Sequence, residues 1–108
     1  MTVIDTNITI EKVKGNKEIH ENITVITVLE YSVILTYKKF YGKIYTLRQI
    51  DIELAINLQI KLRKLGKPKP IADLLIAAIC INRNEELITK DKDFLDIAKV
   101  SDLKVKLV

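Results

Sequence analysis

The stretch that most constrains the fold is "PIADLLIAAIC", Pro70 to Cys80. Its residues are apolar around nearly the whole helical circumference, and a helix of that kind must be buried. Pro70 suits the first turn, and the spacing predicts a helix over about 71–82. One residue does not belong to such a core. Asp73 sits in the first turn among Ile71, Leu74, Leu75 and Ile76, a poorly solvated place where a carboxylate requires a partner.

The flanking sequence supplies strands. "TVID" (2–5) is a short β-branched run, "NITVIT" (22–27) a second, "YTLRQI" (45–50) a weaker third, "ELIT" (86–89) a fourth and "LKVKLV" (103–108) a fifth. Helical patterns lie between them. Residues 8–22 read as two short helices or turns interrupted by Gly15-Asn16. Thr27 is expected to begin a helix that carries Val28, Leu29, Val33, Ile34, Tyr37 and Tyr41 and ends at Gly42. Thr27 and Glu30 then form a capping box in "TVLE". Asp51 is the expected N-cap of a helix closed by Gly66. Asn84 is an expected left-handed turn residue, and "DFLDIAKV" (93–100) a short helix. This alternation predicts an α/β fold with a mainly parallel sheet and helices on both faces, as one domain over residues 1–108.

Composition narrows the function classes. Hydrophobic residues make up 48% and charged residues 30% of the 108, a globular balance. Cys80 is the only cysteine, so no disulfide scaffold forms, and within an apolar run it reads as a core residue. The N-terminus lacks the pattern of a signal peptide, and the longest apolar run, Leu74 to Ile81, is too short to span a bilayer. The expectation is a cytoplasmic protein with no membrane partner. A net charge of +4 favours a polyanionic ligand. His20 lies in a polar segment and reads as a surface residue.

Four acids are placed by this topology at one rim. Asp5 ends the first strand and Asp91 follows the fourth, and ligands of open α/β sheets gather beyond the carboxyl ends of the strands. Asp73 begins the buried helix, and Glu30 is expected in the first turn of the helix after the second strand. Two carboxylates about 5 Å apart repel by roughly 3 kcal/mol at an effective dielectric near 20. Such a cluster needs protons or a cation. Oxygen donors without His or Cys suit Mg²⁺ or Mn²⁺ and not Zn²⁺, and such an ion can promote phosphodiester hydrolysis. Lys61, Arg63, Lys64, Lys67 and Lys69 precede Asp73, while Lys90 and Lys92 flank Asp91. These are the candidate contacts to a nucleic-acid backbone.

The motifs "VIDTN" (3–7), "ITVLEY" (26–31), "IADLLIAAIC" (71–80) and "LITKDKDF" (87–94) together resemble those of PIN-domain ribonucleases, most closely the VapC toxins of toxin–antitoxin pairs. The resemblance spans essentially the whole chain. It implies a three-layer α/β/α domain with an about five-stranded sheet, and a metal-dependent endoribonuclease. Asp5, Glu30, Asp73 and Asp91 would be its catalytic and metal-binding acids, with Asp93 as a fifth. Thr6, Asn7 and Thr89 would support them. It also implies an RNA substrate, a small antitoxin partner and a homodimer. Other readings are an RNA-binding or scaffold module without catalysis and a housekeeping nuclease of RNA processing. A receiver-like signalling domain fits poorly, because the first strand offers only Asp5 and no suitable Asp follows the third. The chain is shorter than the family pattern. Only 24 residues separate Asp5 from Glu30, the helical region before the second strand looks reduced, and a helix usual after the Glu30 helix looks absent.

Overall fold

The computed structural model describes residues 1–108. Its strands are short and all parallel. Strand β1 (Thr2–Ile4) pairs with β4 (Glu86–Thr89), and β4 with β5 (Lys104–Leu107). Strand β2 (Ile23–Thr24) pairs with β3 (Ile44–Tyr45). A parallel bridge between Val3 and Asn22 joins the two groups. It is closed by Ile4 N–H to Asn22 O at 3.0 Å and Asn22 N–H to Thr2 O at 2.9 Å. The strand order across the molecule is therefore β3-β2-β1-β4-β5.

Side chains alternate across this sheet, as the strand period of two requires. Val3 and Leu87 point to one face, into a fifteen-residue core with helices α3 (Gln49–Lys64), α4 (Ile71–Asn82) and α5 (Asp93–Lys99). Ile4 points to the other face, beside Ile8 of helix α1 (Thr6–Lys14) and with Ile19, Ile23 and Ile34. Helices on both faces make the three-layer arrangement expected from the sequence. Helix α4 is the enclosed one: Ile76 to Cys80 are all buried. Burial pushes the Cys80 thiol up to about 12, so it stays protonated. Gly66 follows α3 with φ of +73°, and Asn84 follows α4 with φ of +53°, both at expected left-handed positions.

Residues 22–50 depart from expectation. The second strand stops at Thr24, and helix α2 runs from Val25 to Glu30. The β-branched run "ITVIT" reads as a strand locally, but helical spacing buries both Ile26 and Thr27, and packing overrides propensity. The expected 27–42 helix breaks at Tyr31 and gives way to a 3₁₀ turn, Ser32–Thr36, that buries Ile34. Glu30 thus ends α2 instead of starting a helix, and the Thr27 capping box does not exist. Gly42 ends no helix. A Cβ there would lie 1.9 Å from the Glu21 carbonyl oxygen, so only glycine allows this close approach. Between β1 and β2 one helix forms where two were possible, and the third strand shortens to Ile44–Tyr45.

Asp51 is not the N-cap of α3. Arg48 takes that place, and Asp51 lies inside the first turn with 0% exposure. Its carboxylate accepts from Arg48 N–H at 2.8 Å, Asn82 Nδ2 at 2.8 Å and Arg83 Nη1 at 3.4 Å. Desolvation works to raise its pKa, but the Asn82 and Arg48 hydrogen bonds and the two guanidinium groups outweigh it, and the net shift is downward. Asp51 thereby ties the start of α3 to the end of α4. Asp51→Ala removes one side of a buried, charge-assisted network, and chemical denaturation should show a loss of about 3 kcal/mol.

Candidate metal centre

Strand β1 delivers Asp5 to the carboxyl edge of the sheet, where it also serves as the N-cap of α1. One carboxylate oxygen accepts Ile8 N–H at 3.1 Å. The other accepts the Thr89 hydroxyl from the end of β4. Thr89 Oγ1 in turn accepts Asp91 N–H at 3.0 Å, and the Asp91 carboxylate accepts Asp93 N–H at 2.9 Å. A continuous hydrogen-bond chain thus runs Asp5–Thr89–Asp91–Asp93 along the rim.

Glu30 reaches the same rim from the end of α2. The Thr6 hydroxyl donates to its Oε1 at 2.6 Å and lies 3.0 Å from Thr27 Oγ1. Since Thr6 spends its one proton on Glu30, Thr27 is the donor to Thr6. Thr27 supports Glu30 here and not a helix cap. It precedes Glu30 by three positions, one helical turn, and that spacing is the signal for its role in the sequence.

Asp73 enters from the first turn of α4. Asp5, Thr6, Asn7, Glu30, Asp73 and Asp91 line one cleft of about 110 Å³, floored by Ile76 and Phe94. The four expected acids therefore converge, Asp5, Asp73 and Asp91 from the expected ends of their elements and Glu30 from the opposite end of its helix. Carboxylate oxygens of Asp73, Asp91 and Asp93 can all lie within 4.8 Å of one another. Asp93, the fifth acid of the sequence reading, belongs to this tightest group.

Crowding is visible in the ionisation of the cleft. Desolvation, then Asp91, Asp93, Glu30 and Asp5 in that order, push Asp73 up to about 6, with no hydrogen bond to offset them. Desolvation is also the largest cause of the upward shift of Asp5, moderated by Thr89 and Ile8 and reinforced by Asp91 and Glu30. Burial and like charge both disfavour the ionised forms here. A hard divalent cation removes that penalty, and an all-oxygen donor set fits Mg²⁺ or Mn²⁺.

A family model for the PIN domain matches residues 2–100. The chain is a PIN-domain protein. PIN domains are generally nucleases that use a divalent metal. No curated protein sequence matches significantly. Solved structures share the fold from end to end. A chain of the DNA-bound VapBC complex from Salmonella typhimurium superposes with a TM-score of 0.79 at 15% identity, covering 98% of this chain and 97% of that one. One from VapBC-5 of Mycobacterium tuberculosis gives 0.77 at 21%, covering 99% and 98%. One from VapBC2 of Rickettsia felis, bound to a promoter DNA fragment, gives 0.76 at 17%, covering 100% and 99%.

The basic residues of this PIN domain divide. Lys61, Arg63, Lys64 and Lys92 are exposed. Lys90 is paired with Glu11 at 2.7 Å and Lys67 with Asp96 at 3.5 Å. Lys69 departs from the expected phosphate-facing role: its side chain is 8% exposed and bonds Asp96 at 2.7 Å and Asp93 at 3.3 Å. The residue is turned inward because two carboxylates of α5 compete for it better than solvent does. A larger groove of about 430 Å³ lies between α3 and α4, lined by Ile52, Ile56, Ile60, Ile71 and neighbours. It holds no carboxylate and no catalytic chemistry.

The elevated Asp73 fixes a pH dependence for the metal-free protein. Its folded pKa, about 6, lies above the ordinary 3.8, so the native state holds a proton that the unfolded chain releases between these values. Stability from this group is complete below pH 4 and lost as pH rises to about 6. In EDTA, Asp73→Asn should be more stable than wild type by about 1–2 kcal/mol at pH 7, after discounting for partial solvation, with the gap closing at pH 4. Denaturation at the two pH values checks this.

Proposed function

We propose that this PIN domain is a Mg²⁺- or Mn²⁺-dependent endoribonuclease, the toxin of a VapBC-like pair acting in the cytoplasm. The observation that carries the proposal is the convergence of Asp5, Glu30, Asp73 and Asp91 on one cleft with no His or Cys ligand among them. The ion would be held by Asp73, Asp91 and Asp5, with Glu30 and Asp93 on the same rim. Bound there, it supplies Lewis acidity at the scissile phosphate and an activated nucleophile.

The protein's own groups prepare the rest. Thr89 and Ile8 N–H fix both oxygens of Asp5, so it meets the ion in one orientation. Thr6, backed by Thr27, holds one oxygen of Glu30. Ile76 and Phe94 close the floor of the cleft, which limits water and strengthens the electrostatics of the acids. Asn7 is exposed beside Asp5 and can donate to a phosphate oxygen. Lys61, Arg63, Lys64 and Lys92 lie on the surface where they can neutralise an RNA backbone, with Lys67 and Lys90 available once their surface ion pairs exchange.

Partners are suggested by exposed apolar surface. Ile52, Ile56 and Ile60 on α3 and Ile71 on α4 form one face, and Leu29 of α2 and Val33 and Leu35 of the 3₁₀ turn are exposed as well. Such patches mark protein contacts, and the structural neighbours come from VapBC complexes. A small antitoxin and a second copy of the chain are the partners that this reading assigns to them.

The deciding experiment is Mn²⁺-dependent cleavage of RNA by wild type, Asp5→Asn and Asp73→Asn. Each variant should lose at least about a hundredfold in rate while keeping its circular dichroism spectrum, since each removes a ligand of the reacting centre. Undiminished cleavage by either variant rejects the site. RNA binding without turnover in saturating Mn²⁺ would identify a binding module instead, and the absence of an adjacent antitoxin gene would favour a processing nuclease.

A further inference from the structure

Lys69 lies in the "KPKP" connector between α3 and α4, and the connector is clamped. Gln59 of α3 accepts Lys69 N–H at 3.0 Å and donates to Lys69 O at 2.8 Å. This two-point grip fixes the backbone of a six-residue connection that carries two prolines. It aims one ammonium group, almost shut off from solvent, at the first turn of α5, where it meets Asp96 and Asp93. Asp93 is also a member of the tight carboxylate group with Asp73 and Asp91. The only cation bonded to any member of that group is therefore Lys69.

A cation in that position acts in two opposite ways. In the metal-free protein it offsets part of the carboxylate repulsion and keeps α5 docked. When a divalent ion arrives, the same charge repels it and holds one Asp93 oxygen in a competing bond. We propose that Lys69 is a positioning residue of the metal centre, an internal counter-cation that keeps Asp93 in place without the ion and weakens the centre's hold on it. The inference rests on the reading of this cleft as a metal centre. It gives Lys69 a role directed at the acids, in place of the RNA backbone contact expected from its neighbours in the sequence.

The test is calorimetric titration of Mn²⁺ into wild type, Lys69→Met, Lys69→Arg and Asp73→Asn, with melting temperatures in EDTA and in saturating Mn²⁺. Lys69→Met keeps most of the length of the side chain, one atom short, and removes its charge. It should bind Mn²⁺ about tenfold more tightly than wild type. It should also melt lower in EDTA, with the deficit shrinking in Mn²⁺. Lys69→Arg should stay within about threefold of wild type, because the charge is kept. A purely structural lysine would give the opposite pattern, with weaker binding and an equal loss of melting temperature in both conditions. Unchanged or weaker Mn²⁺ binding by Lys69→Met, with Asp73→Asn abolishing it, overturns the role of Lys69 alone. Absence of Mn²⁺ binding by wild type overturns the metal centre and this inference with it. Should Lys69→Met fail to fold, Gln59→Leu keeps the Lys69 charge but frees the connector that aims it at Asp93. Tighter binding by that variant supports the proposal, and unchanged or weaker binding overturns it.

Discussion

Repulsion among carboxylates at one rim is the constraint on which the rest of the structure turns. Left to themselves, acids from β1, α2, α4 and the β4–α5 connection would separate or take up protons. The fold denies them the first course. Asp5 is pinned across the sheet by Thr89, so β1 and β4 cannot shift register without breaking a bond at the site. Asp73 is fixed by a helix enclosed along its body, whose direction cannot change without exposing Ile76 to Cys80. Burial of apolar surface, at about 25 cal/mol per Å², supplies the free energy that holds like charges together.

The two ends of α4 show what a buried acid gains or lacks. At one end Asp51 is fully enclosed, yet its carboxylate is saturated with donors and its pKa lies below the ordinary value. At the other, Asp73 is less enclosed but has no donor and titrates near 6. Burial alone would order them the other way. The difference lies in satisfaction: one acid is a structural tie, and the other is left open for something from outside.

Much of this was legible in the sequence where local and long-range signals agree. Helix α4, strand β4, Gly66 and Asn84 fall where spacing and turn chemistry put them, because burial on all sides, β-branching and left-handed turns point the same way there. The segment from Asn22 to Ile50 misled for a physical reason. "ITVIT" suits a strand, and "TVLE" suits a capping box, but Ile26 and Thr27 have partners on α1 and in the main core that no local window contains. Glu30 reached the expected rim from the opposite end of its helix. Lys69 stands in a run of lysines and could not be told from them, since its partners Asp93 and Asp96 lie 24 and 27 residues away. Asp51 reads locally as a cap because its tertiary partners, Asn82 and Arg83, lie 31 and 32 residues away.

The two hydrophobic cores are unequal, and the rim crosses the seam between them. Asp73, Asp91 and Asp93 adjoin elements packed into the fifteen-residue core, whereas Asp5 follows Ile4 and precedes Ile8 of a cluster of five, and the segment running on from Glu30 is anchored in that cluster by Ile34. The β2–β3 pair, two residues per strand, joins the main sheet through one backbone bridge and through the Asn22 and Tyr45 side chains, which donate to Glu85. Native proteins open in cooperative pieces, and pieces with less buried apolar surface open first. The turn Ser32–Thr36, held by Ile34 in the smaller cluster, has the least to lose on opening, whereas Ile26 keeps α2 in the main core. Glu30 then stands where a firmly held helix meets a lightly held turn, so the chain beyond it can breathe without disturbing the acids.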